Sequence, residues 1–342
     1  MEFQIIWFIL WAVLWAVYFM LDGFDLGAGF LQRFLARDES ERRAIVNSMG
    51  PVWDGNEVWL LTAGGATFAA FPTTYALMFS YLYTALLLVL FSLIIRGVAM
   101  ELRGKEDSES WRAKWDIALL IGSFLPALLF GVAFGNIFEG LPMDGDGFHG
   151  NLFTLLNPYG LLTGVLFVLL FATHGALFIS VKTSGDLSKR AAALANKIWY
   201  PLLGVAVLFL AYTYFATKLY DNYLGTPVLF IVPLLAVLSL LGVKVFAATG
   251  SLLKSFVSSC STILMVTFTG VIGLFPNLIP SSIDPRYSLT IFNSSSSPYT
   301  LKIMTAVALI FVPIVIAYQA WNYRIFRQRI DPSELLKKGQ SY

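Results

Sequence analysis

The sequence predicts an all-α polytopic membrane protein, because its composition and its long apolar segments are typical of that class. Hydrophobic residues make up 57% of the 342 residues and charged residues only 13%, whereas soluble domains average about 25% charged residues. A chain of this size and composition cannot build a water-facing surface. The composition therefore excludes a soluble enzyme, a disordered chain and a nucleic-acid-binding protein, and the lipid bilayer is the expected environment.

Nine segments are apolar enough to cross a bilayer, which requires about 20 mostly apolar residues in a helix. The second is the least apolar, because the polar string WDGNEVW opens it. The first has neither a basic beginning nor a small-residue cleavage site, so we interpret it as a retained span. We expect residues 1–342 to form a single transmembrane domain with spans at 4–31, 51–71, 75–97, 116–139, 158–181, 199–217, 227–247, 255–275 and 299–322.

The positions of the basic residues predict the orientation of these spans. Lys and Arg collect in cytoplasmic loops of membrane proteins. With the N-terminus outside and the C-terminus in the cytoplasm, the 23 Lys and Arg residues fall on the cytoplasmic side with three exceptions, Lys218, Arg286 and Lys302. This arrangement is the predicted topology.

Several ionisable residues lie inside the predicted spans, where a charge near the bilayer centre costs about 2.5–3.5 kcal/mol on insertion scales. The first span ends with two aspartates three residues apart, and the second opens with two acids at the same spacing, so each pair shares a helix face. All lie toward the predicted cytoplasmic half. We expect one buried polar cluster of Asp22, Asp25, Asp54, Glu57, Arg96 and Asp116.

Two interpretations of this cluster remain open from the residues alone. The inner ends of consecutive antiparallel spans lie side by side, so Arg96 is the natural counter-ion for Asp25 and Asp116 in a structural clamp. The acids also outnumber the arginine, and an acidic excess in a low-dielectric site lets a carboxyl hold and pass on a proton. We place Glu101 at the headgroup level, where charge costs little.

Small and aromatic residues mark two packing faces on the first span. Gly23 and Gly27 form a small-xxx-small pair that lets another helix approach closely. Trp7, Trp11 and Trp15 recur every four residues and form one stripe, which we interpret as a packing or lipid-facing surface.

The few histidines and the single cysteine limit the redox chemistry of the chain. Cys260 cannot form an internal disulfide or a multi-thiolate metal site, so we predict no metal centre. His174 is a weak haem-ligand candidate, alone or with a methionine such as Met20 or Met78. No second histidine lies in a span to complete a pair, so a structural role is favoured, and His149 is expected to be solvated.

Four stretches of the chain resemble subunit II of the cytochrome bd-type quinol oxidases. The resemblance is dense from YFMLDGFDLGAGF at 18–30 through RRAIVNSMGPVWDGNEVWLLTAGGATFAAFP at 42–72. It continues with IIRGVAMELRG at 94–104 and WDIALLIGSFLPALLFGVAFGN at 115–136. The LDGFDLGAG and GPVWDGNEVW strings are long and unusual, which makes the match specific.

The resemblance implies a non-catalytic subunit of a quinol:oxygen oxidoreductase in the bacterial cytoplasmic membrane, folded as two four-helix bundles plus a peripheral helix. The partner, subunit I, would hold two b-type haems and one d-type haem, oxidise quinol and reduce oxygen to water. A small single-span subunit and a structural quinone occur in such complexes. Protons would come from the cytoplasm along an acidic path with Asp25 and Asp54, ordered by Arg96 and Asp116.

Two alternatives remain from the residues. A proton-coupled transporter also carries intramembrane acids paired with arginine, although no inverted repeat is visible here. A self-sufficient haem b protein would rely on His174. The oxidase interpretation predicts a tight membrane partner, whereas the alternatives predict transport activity or a haem spectrum from this chain alone.

Overall fold

The computed structural model describes residues 2–338, and it shows an all-α polytopic membrane protein. Within the described part, eight segments are long and apolar enough to cross a bilayer. The helices are α1 (Glu2–Leu35), α2 (Glu39–Met49), α3 (Trp53–Ala70), α4 (Pro72–Tyr81), α5 (Tyr83–Leu102), α6 (Glu109–Glu139), α7 (Pro158–Lys182), α8 (Gly185–Ala216), α9 (Leu219–Gly225), α10 (Ile231–Ala248), α11 (Leu252–Leu274), α12 (Pro298–Ile325) and α13 (Pro332–Lys338).

Short 3₁₀ turns and two antiparallel strand pairs complete the described part of the chain. The turns are Thr154–Leu156, Pro227–Phe230, which leads into α10, and Pro285–Tyr287. The strands are β1 (Met143–Asp144) paired with β2 (Gly147–Phe148), and β3 (Asn277–Ile279) paired with β4 (Leu289–Thr290). Both pairs lie in loops between spanning helices. The predicted domain 1–342 also includes residues 1 and 339–342, which lie outside the described residues.

Eight of the nine predicted spans coincide with these long apolar helices, several of which extend beyond the predicted ends. The first reaches from Glu2 to Leu35, and the sixth begins at Gly185 instead of 199. The predicted span 51–71 forms α3, which is about 27 Å long at 1.5 Å per residue and carries Asp54 in its first turn. For this segment, membrane crossing stays a prediction.

The predicted span 75–97 was wrong as a single helix, because the chain departs from helical geometry at Leu82. There φ is −100° and ψ is 17°, which separates α4 from α5. The backbone hydrogen bonds from Leu82 N to Met78 O and from Leu86 N to Leu82 O continue across the break. The Leu82 side chain is buried in a small apolar cluster with Leu141, so the distortion is local and serves packing.

Helix α1 is the centre of the bundle and packs against α3, α6, α7 and α11. The predicted tryptophan stripe is a packing face, since Trp7, Trp11 and Trp15 are 5%, 4% and 8% exposed. Trp7 Nε1 donates to Leu301 O of α12, and Trp11 Nε1 donates to Thr67 Oγ1 of α3. The stripe therefore fixes the orientation of α1 toward two neighbours.

Glycines bring α1 and α7 into backbone contact, as the Gly23 and Gly27 pair predicted. A Cβ added to Gly27 would lie 1.9 Å from Phe171 O, and one added to Gly175 would lie 2.4 Å from Ala28 N. A Cβ on Gly23 would meet the Phe171 ring at 2.7 Å. Only glycine permits this separation of the two helices.

Helix α12 lies at the periphery and is fixed mainly at its two ends. Among its residues only Leu301 is buried. After the helix, the chain runs along the end of α7, where Ile330 N donates to Lys182 O and Ser184 N donates to Ile330 O. We call residues 326–331 the C-terminal strap.

Candidate functional site

The first buried ion cluster is centred on Arg96 of α5, and we call it the Arg96 cluster: Asp22, Asp25, Asn56, Glu57 and Arg96. Arg96 is 1% exposed and faces α1 and α3. Its Nη1 lies 2.7 Å from Asp22 Oδ1, and its Nη2 lies 3.4 Å from Glu57 Oε2. Neither contact has hydrogen-bond alignment, so the attraction is chiefly between charges.

Asp25 belongs to the same cluster but is held by an amide instead of the arginine. Asn56 Nδ2 donates to Asp25 Oδ2 at 2.7 Å, while Asp25 Oδ1 is buried and has no hydrogen-bond partner. Asn56 Oδ1 accepts from Tyr323 OH at 2.7 Å and from Gln319 Nε2 at 3.1 Å. The amide therefore links α1 and α3 to α12.

The Arg96 cluster contains more acidic than basic side chains and reaches the surface of the chain through α3. Asp22, Asp25 and Glu57 supply three carboxylates against one guanidinium. Asp22 and Asp25 are fully buried, but the Glu57 side chain is 23% exposed. Asp54, one turn earlier on α3, is exposed. The acids thus form a graded series from the surface to the core.

The second buried ion cluster is centred on Arg103, just past the end of α5, and we call it the Arg103 cluster: Gln32, Glu39, Arg103 and Asp116. Arg103 Nη1 and Nη2 donate to the two carboxylate oxygens of Glu39 at 3.0 and 2.8 Å. Arg103 Nε donates to Asp116 Oδ1 at 2.6 Å, and Gln32 Nε2 donates to the same oxygen at 2.8 Å.

Further arginines surround this cluster and complete its charge balance. Arg43 Nε donates to Glu39 at 3.0 Å, and Arg42 and Arg112 lie 3.9 and 3.7 Å from Asp116 and Glu39. Burial works to raise the pKa of Glu39, but the hydrogen bonds and charges of Arg103 and Arg43 outweigh it, so the pKa lies below its ordinary value. The cluster therefore stabilises Glu39 as a carboxylate.

The predicted clamp Asp25–Arg96–Asp116 was wrong in both pairings. A Cβ on Gly122 of α6 would lie 2.7 Å from Arg96 N, so Arg96 is level with residue 122. Asp116 lies six residues away, about 9 Å along the helix axis. Arg103 is seven residues after Arg96 and shares its helix face, and it pairs with Asp116 instead.

The structure therefore divides the predicted site residues between two clusters and leaves one outside both. Asp22, Asp25, Glu57 and Arg96 come together, Asp116 joins Arg103, and Asp54 contacts neither arginine. The sequence interpretation missed four residues of the two clusters: Asn56, Gln32, Glu39 and Arg103. A signal existed for Gln32, which lies seven residues after Asp25 and so on the same face of α1.

His174 has protein partners at both ring nitrogens. Nδ1 lies 2.7 Å from Ser259 Oγ and Nε2 lies 2.9 Å from Met20 O. The buried ring stacks on Phe256 with 4.8 Å between centroids. Met20 thus contributes its carbonyl, and a haem iron could bind His174 only by displacing Ser259 or Met20 from the ring.

Two other sequence expectations concern exposed residues and metal ligands. Glu101 is exposed at the end of α5, and His149 is exposed in its loop, where Nε2 lies 2.7 Å from Asp144 Oδ1. Across residues 2–338, no group of three His, Cys, Asp or Glu side chains has the arrangement that a metal ion needs.

Comparisons with known proteins agree over nearly the whole chain. A family model for cytochrome bd terminal oxidase subunit II matches residues 3–326. The chain is 38% identical to cytochrome bd-I ubiquinol oxidase subunit 2 of Escherichia coli, with 99% of this chain and 98% of that protein aligned. It is 39% identical to cytochrome bd ubiquinol oxidase subunit 2 of Bacillus subtilis, with 96% and 97% aligned.

A solved structure shows the same fold. A chain of the bd oxidase from Geobacillus thermodenitrificans superposes with a TM-score of 0.79 over 95% of this chain and 99% of that chain, at 17% identity. The family model and the full-length relatives, taken with the helical membrane architecture, establish that the chain belongs to the cytochrome bd terminal oxidase subunit II family.

Proposed function

We propose that this chain is the non-haem subunit of a quinol-oxidising terminal oxidase and supports the haem-bearing subunit I. Quinol and oxygen are then substrates of the complex, with two b-type haems and one d-type haem in subunit I. A small single-span subunit and a structural quinone belong to the same proposal. The occupied ring nitrogens of His174 support it, because this histidine lies within a spanning helix and both of its nitrogens already have protein partners.

The proposal includes a nine-span topology with the N-terminus outside and the C-terminus in the cytoplasm. Helix α3 is the ninth span, at about the minimum length for a bilayer. The Arg-rich end of the bundle, which carries the Arg103 cluster, then faces the cytoplasm. Membership of the oxidase family argues against the transporter alternative.

The Arg96 cluster is our candidate for proton delivery from the cytoplasm. The observation that carries this proposal is the surplus of buried carboxylates that opens to the chain surface through Glu57. A proton taken up near Asp54 would pass along Glu57 to Asp22 and Asp25. The entry point would lie on the surface of α3 that subunit I would cover. A purely structural role for the cluster is the alternative.

The assembly part is tested by purifying the tagged chain from native membranes in mild detergent. We expect one larger co-purifying partner and a d-type haem band in the reduced-minus-oxidised spectrum. The chain expressed without its partner should be colourless. A colourless, solitary chain from native membranes would contradict membership of an oxidase complex.

The proton-delivery part is tested with Asp25→Asn in the assembled complex. We expect quinol-driven oxygen consumption per haem to fall by about 10²-fold, the low end of the contribution of a positioned proton-transfer group, with the haem spectrum unchanged. Glu101→Gln is the control and should keep full turnover, because Glu101 is an exposed acid near the C-terminal end of α5. Unchanged turnover of Asp25→Asn at full haem content would contradict the relay and favour the structural role.

A further inference from the structure

A cavity of about 570 Å³ lies where the ends of three spanning helices converge. It is bounded by the last turn of α7, the first turns of α11 and the end of α12. Its size is within the range of sites that hold small molecules. Because α7 and α12 end and α11 begins there, the cavity lies at the level where a bilayer meets water.

Basic side chains line one side of the cavity. Lys182, Arg327 and Arg329 contribute to its lining, and no acidic residue does. Of the ion pairs between described residues, none involves these three cations. Within this cavity the three cations therefore have no acidic neighbour, whereas Lys182 and Arg329 also border a second cavity that is lined by Asp331 and Glu334.

Hydrogen bonds between the C-terminal strap and the end of α7 hold two of these cations in place. Lys182 Nζ donates to Phe326 O and Gln328 O. Arg329 Nε donates to Val181 O at 3.1 Å, and its Nη2 donates to Ser180 O at 3.0 Å. These acceptors are neutral carbonyls, so they fix the cations without cancelling their charge. Arg327 is exposed at the cavity.

The remaining walls are largely apolar. Phe178, Leu252, Leu253 and Phe256 line the same cavity as the cations. Leu253 is 62% exposed. Such an apolar side chain would be unfavourably hydrated if the cavity held only water. A free inorganic anion would satisfy the cations and leave these walls uncovered. A molecule with an anionic head and an apolar tail would satisfy both.

We propose that this cavity binds an anionic glycerophospholipid, with the phosphate against Lys182, Arg327 and Arg329 and an acyl chain against Leu253 and Phe256. Charge complementarity selects the head, and burial of apolar surface holds the tail. The site borders the Arg96 cluster at Tyr323, which lines the cavity and donates to Asn56, but it shares no charged residue with that cluster. The proposed topology places it in the cytoplasmic leaflet.

The test uses the purified oxidase complex, exchanged into lipid-free detergent and titrated with phosphatidylglycerol or phosphatidylcholine of the same acyl chains. Bound lipid is counted by native mass spectrometry. We expect wild type to retain phosphatidylglycerol selectively, and Arg327→Gln to weaken that binding about fivefold, since one cation near a headgroup contributes about 1 kcal/mol. Arg324→Gln, one turn earlier, exposed and outside the cavity lining, is the matched control and should bind as wild type.

Three outcomes would overturn the proposal. Equal loss in Arg324→Gln and Arg327→Gln would indicate diffuse surface attraction instead of a site. Equal retention of phosphatidylcholine would show that the cations do not select the head. Displacement of the lipid by millimolar inorganic phosphate, with Leu253→Ser binding as wild type, would identify a free-anion site with no acyl-chain contact.

Discussion

The Arg96 and Arg103 clusters each place a buried arginine beside acidic side chains, and the two arginines lie seven residues apart in the chain. Their hydrogen bonding differs. Arg103 forms a two-pronged pair with Glu39 and a direct hydrogen bond to Asp116. Arg96 is as deeply buried, but it meets Asp22 and Glu57 without hydrogen-bond alignment. One cluster is closed by its own partners, and the other retains unused donors and acceptors.

The difference shows how a buried ion pair can be assigned a role. Hydrogen-bonded and charge-balanced ion pairs hold helices together. A surplus of buried acids costs folding free energy, so its presence points to a functional role. In the Arg103 cluster, four basic side chains surround two acids. In the Arg96 cluster the acids are in excess. This contrast is the basis for our proposal that the Arg103 cluster holds the helix ends together and that the Arg96 cluster exchanges protons.

The largest expected effect is the loss of the Arg96 guanidinium. Arg96→Leu leaves Asp22 and Glu57 without a cation in the core, which should destabilise the protein by about 3–5 kcal/mol. We expect poor yield of assembled complex and a lower unfolding temperature in detergent. Arg96→Leu combined with Asp22→Asn should recover part of the loss, since one uncompensated charge is removed.

Arg103→Leu is the matched change in the other cluster and should cost less. Asp116 would keep Gln32 and lie near Arg42, and Glu39 would keep Arg43. We expect a loss of about 1–3 kcal/mol from the missing hydrogen bonds. If Arg103→Leu proves as severe as Arg96→Leu in the same unfolding assay, the distinction between the clusters is wrong.

A second pair of variants removes one amide from each cluster. Asn56→Leu removes the donor to Asp25 and the acceptor of Tyr323, and Gln32→Leu removes a donor to Asp116. Each should cost about 1–3 kcal/mol, because a buried acid loses a hydrogen bond. Thermal unfolding measures this shared cost.

Oxygen consumption per haem then separates the two amide variants. It should fall in Asn56→Leu, where the carboxyl of the proposed proton path loses its partner, and stay at the wild-type value in Gln32→Leu. Equal turnover in the two variants would remove the functional distinction between the clusters.

The smallest expected effect concerns acid stability at Glu39. Its pKa is lowered in the folded protein, so its stabilising contribution is present above the ordinary glutamate value of about 4.3. That contribution is lost as the pH falls through the lower folded-state pKa. Glu39→Gln should therefore show a shallower loss of thermal stability below about pH 4.3.

The size of the Glu39 effect is limited because the Glu39 side chain is 29% exposed to solvent. We expect less than about 1 kcal/mol between wild type and Glu39→Gln at neutral pH. Glu101→Gln is the control and should follow the wild-type pH curve. A Glu39→Gln curve that matches wild type would show that the Arg103–Glu39 pair contributes nothing measurable.

The fold was largely predictable because bilayer-crossing helices carry a strong apolar signal. The exceptions arise where that signal is interrupted. Polar residues open α3, and its crossing of the membrane could not be read with the same clarity. The break at Leu82 left no trace in the sequence, because it depends on packing of that side chain with a distant loop.

The site was predictable by residue type and by helix face, but not by axial level. Spacing places Arg96 and Arg103 on one face of a helix, and nothing in the spacing says which one reaches Asp116. That choice depends on the offset between α5 and α6, which the close contact of Gly122 with the Arg96 backbone sets. Asn56 and Gln32 were missed because neutral amides carry no charge signal.

The backbone contact between α1 and α7 limits which positions of these helices can accept substitutions. At Gly27 and Gly175 the neighbouring atoms are main-chain atoms, which no compensating side-chain change can remove. Gly64 and Gly204, by contrast, have no neighbour within 4 Å of an added Cβ. Random substitution should be tolerated at the second pair and rejected at the first, so these two helices can diverge elsewhere while their crossing point stays fixed.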